Sequence, residues 1–215
     1  VYGDYMTWPI NSSTDESFQV NNPTNGMRVY IYDPGNAQVS AFWRALWQGI
    51  VRDNILLANI DKPVMDEAKR DLVEGEALFL RGYLYFLLAI NFGDVPLITA
   101  PTLSVENVHI ARTPLKDVYK QILEDMTRAE ALLQSQTVTA LGYSGRVTRT
   151  AVQGILARVN LTMAGYPLHD AARVAQIDRA VVHDRRGLIR AAVAHRPDPR
   201  EREMPRVVGR DLAER

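Results

Sequence analysis

Residues Gly75 to Ile98 read GEALFLRGYLYFLLAINFGDVPLI, a long aromatic-rich stretch that stops at a Gly-Asp-Val-Pro corner and runs on as an apolar extended segment. Phe79, Tyr83, Phe86 and Ile90 recur at steps of three and four, which places them on one helix face. Gly75, Ala77 and Gly82 break up the bulk and let a neighbouring backbone approach closely. Gly93 falls where a left-handed C-terminal cap belongs, and Pro96 cannot continue a helix. The stretch predicts a buried, tightly packed helix with a defined end.

Upstream of it, a helix is expected from about Ser40 to Asn59, with Phe42, Leu46, Ile50, Ile55 and Leu57 as core candidates. Trp43 and Trp47 form an i,i+4 pair on it. Asp61-Lys-Pro breaks the pattern, and the second helix covers about Val64 to Phe92. Residues 93–112 form an extended connection. Thr113-Pro114 then starts a third helix, with Thr113 as N-cap and Pro114 in the first turn. Leu115, Val118, Ile122, Met126, Ala129 and Leu133 make its apolar stripe, and Asp117 suits the positive end of its dipole. A polar loop through Gly142 and Gly145 leads to a fourth helix, about Thr148 to Ala164, with Ala151, Ile155, Val159 and Met163 inward. Residues 1–36 have no helical period and read as long loop, with a β-prone piece at Met27 to Tyr32. The fold class is all-α, with the helices paired in antiparallel fashion. Stacked hairpins of the tetratricopeptide type and a plain helical bundle both fit that pairing.

The chain has 215 residues, 47% apolar and 23% charged, the make-up of an ordinary globular protein with a sizeable core. Basic and acidic groups balance at 25 each, so no global charge draws it to nucleic acid or an anionic membrane. With no cysteine, disulfides, thiolate metal sites and cysteine nucleophiles are excluded. The longest apolar run, Ala77 to Ile90, contains Arg81 and falls short of the roughly 20 residues that span a bilayer. The chain begins at Val1 and reads as trimmed at its front.

The opening stretch resembles the E-A-x-F-L-R-x-x-x-Y-F … F-G-D-V-P-L signature of the SusD/RagB family, surface lipoproteins that capture nutrients, mostly glycans, for an outer-membrane transporter. Trp43, Trp47, Ile50 and Asn54 resemble the family helix W-x-x-x-Y-x-x-I-x-x-A-N. Val118, Tyr119, Ile122, Asp125 and Ala129 resemble V-Y-x-x-I-x-x-D-x-x-x-A. Gly145 to Leu168, GRVTRTAVQGILARVNLTMAGYPL, is similar to G-R-x-T-K-x-A-A-x-x-L-L-A-R-x-Y-L, with Asn160 in place of the usual aromatic and Val152 and Gly154 in place of alanines. The resemblance covers about Asp4 to Asp170 and favours stacked, tetratricopeptide-like helix hairpins behind a long irregular N-terminal loop. It implies a non-enzymatic fragment of a longer protein, working as a lid on a SusC-like TonB-dependent transporter at the surface-facing side of the outer membrane. Glycan or peptide would be the nutrient, and a lipid anchor absent from this chain would supply the only membrane attachment. A helical-repeat scaffold for peptide or protein partners is the alternative.

The chain divides on composition into a loop-rich segment 1–36, a helical part 37–167 and an atypical tail 168–215. The tail has 11 arginines, no lysine and no Phe, Tyr or Trp, and its net charge is +3 against −3 for the rest. It fits a polar helix with a disordered end, or an out-of-frame reading of GC-rich coding sequence that breaks near residue 170. The second is preferred, because the resemblance weakens there too. A nucleic-acid arm is disfavoured: acids interleave the arginines and no aromatic is available for stacking.

No catalytic constellation is present. There is no H-E-x-x-H, Walker loop or G-x-S-x-G. Glu74 and Glu76 point to different faces of a helix, and His109 is alone in the helical part, so neither an acid/base pair nor a metal site is expected. No cofactor is expected. A sugar site needs flat rings for pyranose faces and amides, carboxylates or guanidinium groups for hydroxyls. The N-terminal loop holds that mixture in Tyr2, Tyr5, Trp8, Asn11, Asp15 and Glu16. The resemblance places ligand-contacting aromatics just before the first helix, which makes Trp8 and Asn11 the leading candidates, followed by Tyr5 and Asp15. Trp43, Trp47, Phe79, Tyr83 and Tyr85 are expected in the core, with Glu76 and Arg81 as structural charges paired with neighbours.

Overall fold

The computed structural model describes residues 33, 35–101, 109–142 and 145–176. The β-prone piece at Met27 to Tyr32, most of the loop-rich segment and the tail beyond Gln176 lie outside the described residues. Among the described residues four α-helices follow one another: α1 Ala37–Ala58, α2 Glu67–Phe92, α3 Leu115–Leu132 and α4 Arg149–Ala164. A short 3₁₀ turn, Ala171–Arg173, follows. Each helix packs mainly on its neighbours in sequence, so the order in space is α1, α2, α3, α4, and α4 touches α2 only marginally. This is a stack of helix hairpins, as expected. No helix among the described residues is long and apolar enough to cross a membrane.

Because α2 lies between α1 and α3, it buries most of its circumference in its second half. Ala77, Leu78, Phe79, Tyr85, Phe86, Leu87, Leu88 and Ala89 are all in the core. The arc predicted from Phe79 to Ile90 is therefore the rim of a wider buried surface: Tyr83 is half-buried and Ile90 is exposed. The small residues act as predicted. A Cβ on Gly75 would lie 2.8 Å from Leu133 Cγ, and one on Gly82 3.1 Å from Met126 Cγ, so α3 packs against α2 where bulk is missing.

Phe42, Leu46 and Ile50 of α1 are buried, but Ile55 is exposed and Leu57 only partly covered. After Ile50 the inward positions are polar, Asp53 and Asn54, which an apolar pattern passes over. In α3 the predicted stripe from Val118 to Leu133 is buried throughout, and Leu115 packs at its edge. In α4 the inward residues are Val152, Leu156, Val159 and Met163, and Ala151 is exposed. Repeated steps of four drift by roughly 40° each around a helix of 3.6 residues per turn, so the predicted row leaves the core at its N-terminal end.

The caps explain where the helices begin. Asn36 accepts hydrogen bonds from the N–H groups of Gln38 (3.0 Å) and Val39 (3.2 Å), Asp66 from Lys69 (2.7 Å), and Thr148 from Ala151 (3.2 Å). Thus α2 starts at Glu67 rather than near Val64, which is fully exposed outside the helix. Thr113 does not cap α3. Pro114 holds the cap position with no side-chain bond, and the Leu115 N–H donates instead to Asp94 Oδ1 at 2.8 Å.

That contact closes the Gly-Asp-Val-Pro corner. Gly93 has φ 70° and ψ −126°: the positive φ agrees with the expected cap, but the ψ is not that of the left-handed helical region. Val95, fully buried, forms an isolated antiparallel bridge with Thr113, whose N–H donates to Val95 O at 2.9 Å. The corner thus ends α2, caps α3 and pins the two ends of the connection together. At the far end, Leu168 packs on the core and the Asp170 N–H donates to Met163 O at 2.9 Å. The first residues of the compositionally odd tail fold back on α4.

Candidate functional site

Arg81 and Glu76 are both paired, as their place in an apolar helix requires. Arg81, buried in the middle of α2, makes four hydrogen bonds. Its Nε and Nη2 donate to the two carboxylate oxygens of Asp125 at 2.8 and 2.6 Å. Its Nη1 donates to Asn54 Oδ1 at 3.0 Å and to Thr99 O at 3.1 Å. Asn54 Nδ2 donates to Ile98 O at 2.8 Å, Tyr85 O–H donates to the same carbonyl at 2.8 Å, and the Ile98 N–H donates back to the Tyr85 oxygen. One guanidinium therefore ties α1, α2, α3 and the extended connection together. Burial pushes the Tyr85 hydroxyl up to about 12, with the Ile98 hydrogen bond and the Arg81 charge acting the other way. The knot holds no spare donor array for a ligand and no nucleophile; it is a brace.

Asp53 lies beside the brace without joining it. It is buried and its Oδ2 has no hydrogen-bond partner. Loss of water raises its carboxyl to about 7, Arg81 pulls it down, and the negative charge of Asp125 pushes it up. Elsewhere Glu76 accepts from Arg146 Nε (2.9 Å) and Nη2 (2.6 Å), fixing the α3–α4 loop to α2, and Glu74 pairs with Arg128 of α3. The two glutamates face different partners, as their spacing requires. Among the described residues no three His, Cys, Asp or Glu side chains converge on a possible metal position.

The other feature is an aromatic face on α1. Trp43 and Trp47 lie 5.6 Å apart, centroid to centroid, tilted by 60°. Trp43 meets the edge of Phe92 at 4.9 Å, and Trp47 meets Tyr85 at 6.0 Å. Helical spacing places both in the core; both are instead half-buried, packed against it with one side open. They line a groove of about 440 Å³ together with Arg44, Gln48, Val51 and Arg52. Two adjacent rows of one helix, 43-47-51 and 44-48-52, supply the whole lining. The tryptophan pair is visible in the sequence. Its exposure is not, because the buried row 42-46-50 is one residue away, and only packing decides which of two neighbouring rows faces inward. Trp8, Asn11, Tyr5 and Asp15, with Tyr2 and Glu16, lie outside the described residues, and the groove is an open aromatic surface within the described part.

The sequence matches the family model SusD-like_3, described as starch-binding associating with outer membrane, over residues 6–161, more than half of the chain. SusD-like protein P2 of Formosa agariphila is 32% identical over 116 residues, which is 54% of this chain and 22% of that protein. The crystal structure of a SusD superfamily protein from Parabacteroides distasonis superposes with a TM-score of 0.63 at 29% identity, covering 69% of this chain and 31% of that one. A laminarin-binding SusD-like protein superposes with a TM-score of 0.55 at 28% identity, covering 64% and 29%. The chain thus spans about a fifth of the length of this curated relative and under a third of these solved structures.

Proposed function

Since the chain belongs to the SusD-like family, we propose that it is the N-terminal part of a non-catalytic protein that captures glycan at the outer face of the outer membrane. In this reading a SusC-like TonB-dependent transporter receives the glycan, and a lipid anchor outside this chain holds the protein to the membrane. The observation that carries the reading is the family match, which spans both the helical stack and the segment that contains Trp8. The laminarin-binding relative, 28% identical, supports glycan as the nutrient class. The helices act as a rigid frame braced by Arg81, and the segment ahead of α1 supplies the contacts: Trp8 and Tyr5 stack on pyranose faces, while Asn11 and Asp15 bind hydroxyls.

Titration of the purified chain with laminarin oligosaccharides and a panel of other glycans tests this. Trp8→Ala is expected to weaken binding about fivefold or more, the loss of one stacking ring worth on the order of 1 kcal/mol. Its circular dichroism should be unchanged. Equal affinity in wild type and Trp8→Ala would remove that residue from the site. Binding of peptides with no binding of any glycan would replace the reading with that of a peptide-binding helical scaffold.

A further inference from the structure

The groove on α1 has a chemical asymmetry that glycan capture in general does not explain. Its floor is apolar, made by Trp43, Trp47 and Val51, and Arg44, Gln48 and Arg52 border it with their aliphatic stems, which leaves their polar ends at the rim. Both arginines are exposed. Arg44 donates only to Ser40 O, at 3.4 Å, and neither arginine has a carboxylate partner among the described residues. Most other described arginines, among them Arg70, Arg81, Arg128, Arg146, Arg149 and Arg173, are paired with acids. No Asp or Glu lines the groove. The two groove arginines are eight positions apart on one helix, so their backbones are separated by about 12 Å along its axis at 1.5 Å per residue.

We propose that this groove binds an anionic oligosaccharide, a chain bearing uronic-acid carboxylates, with pyranose faces laid on Trp43 and Trp47 and carboxylates paired with Arg44 and Arg52. A guanidinium and a carboxylate match as a two-pronged, charge-assisted pair. Being two helical turns apart, Arg44 and Arg52 would meet acidic groups on different sugars of an extended chain. Gln48, between them, is placed to meet a hydroxyl. A neutral glycan would use the floor and leave both cations unpaired, and a purely apolar protein surface would have to cover both charges. The inference rests on the glycan-capture reading and adds the charge class of the ligand and a second binding surface.

Calorimetric titration of the full 215-residue chain with oligogalacturonate and with a neutral β-glucan oligosaccharide of equal length, each at low and high salt, tests it. The acidic ligand should bind about tenfold more tightly at low salt, the worth of a charge-assisted hydrogen bond, and the advantage should shrink at high salt. The double variant Arg44→Gln/Arg52→Gln should lose that preference and keep its circular dichroism, because both side chains are exposed. Equal affinity for the two ligands overturns the proposal. So does acidic binding that survives in the double variant, or acidic peptides that bind as tightly as the acidic sugar. Neutral glycan bound in a Trp8-dependent manner, with no acidic preference, would sink this inference alone and leave glycan capture standing. Failure to bind any glycan would remove both.

Discussion

At the scale of single residues, the polar cluster around Arg81 contains one group that works against the fold. In the folded chain the Asp53 carboxyl titrates at about 7 rather than at 3.8. Between about pH 4 and pH 7 the folded form keeps a proton that the unfolded form has released, so this group lowers stability as pH rises through that window and adds no further change above it. Asp53→Asn should flatten the dependence relative to wild type and give the more stable protein at about pH 8. Urea midpoints across the range decide it; parallel curves would show that Asp53 is solvated. The opposite outcome is expected for Arg81→Met, which strands Asp125 in the core and should cost about 3–5 kcal/mol in chemical denaturation. A loss well under that would mean that water replaces the guanidinium. Arg81 can be identified as structural from the sequence, since a lone cation among Leu, Phe and Tyr must find a partner. Its partners cannot: Asn54 and Asp125 are 27 and 44 positions away, and nothing in local spacing joins them.

At the scale of elements, helix identity is legible because each apolar row repeats over several turns. Boundaries are legible only where the cap is local. Thr148 and the Ala151 N–H that it accepts are three residues apart, so the start of α4 is readable. Asp94 caps α3 from 21 residues upstream, so Thr113 has the look of a cap without being one. Row phase fails for the same reason in α1 and α4, where only the neighbouring helix determines which of two adjacent rows turns inward. Two glycines separate propensity from packing. Gly154 is exposed on α4, and a Cβ added there would meet no atom within 4 Å, so Gly154→Ala should raise stability by about 0.5–1 kcal/mol. Gly75→Ala would place its methyl 2.8 Å from Leu133 Cγ and 3.3 Å from Leu132 Cβ. Overpacking at that contact, about 1–3 kcal/mol, should exceed the helical gain. Melting temperatures that move in opposite directions for the two variants confirm that α2 and α3 meet at Gly75; a rise in both would separate them.

At the scale of the whole molecule, the helices form a nearly linear stack, and such arrays are held by neighbour contacts rather than by one central core. The hairpin arrangement is legible once the motif resemblance is added to the periodicity; periodicity alone leaves a bundle equally open. Among the described helices, α2 has a neighbour on both sides and α1 on one. Two of the three tryptophans of the chain, Trp43 and Trp47, are on that outermost helix, and the ring of Trp47 meets the edge of Tyr85 on α2 at 6.0 Å. Indole emission is consequently a local optical gauge of whether α1 is seated, whereas far-ultraviolet dichroism averages over every helix. On heating, the fluorescence transition should precede the dichroic one if the stack peels from its α1 end, and coincident curves would show a chain that melts as one unit. The aromatic face that makes α1 a candidate for ligand contact also makes its departure from the stack visible without any added label.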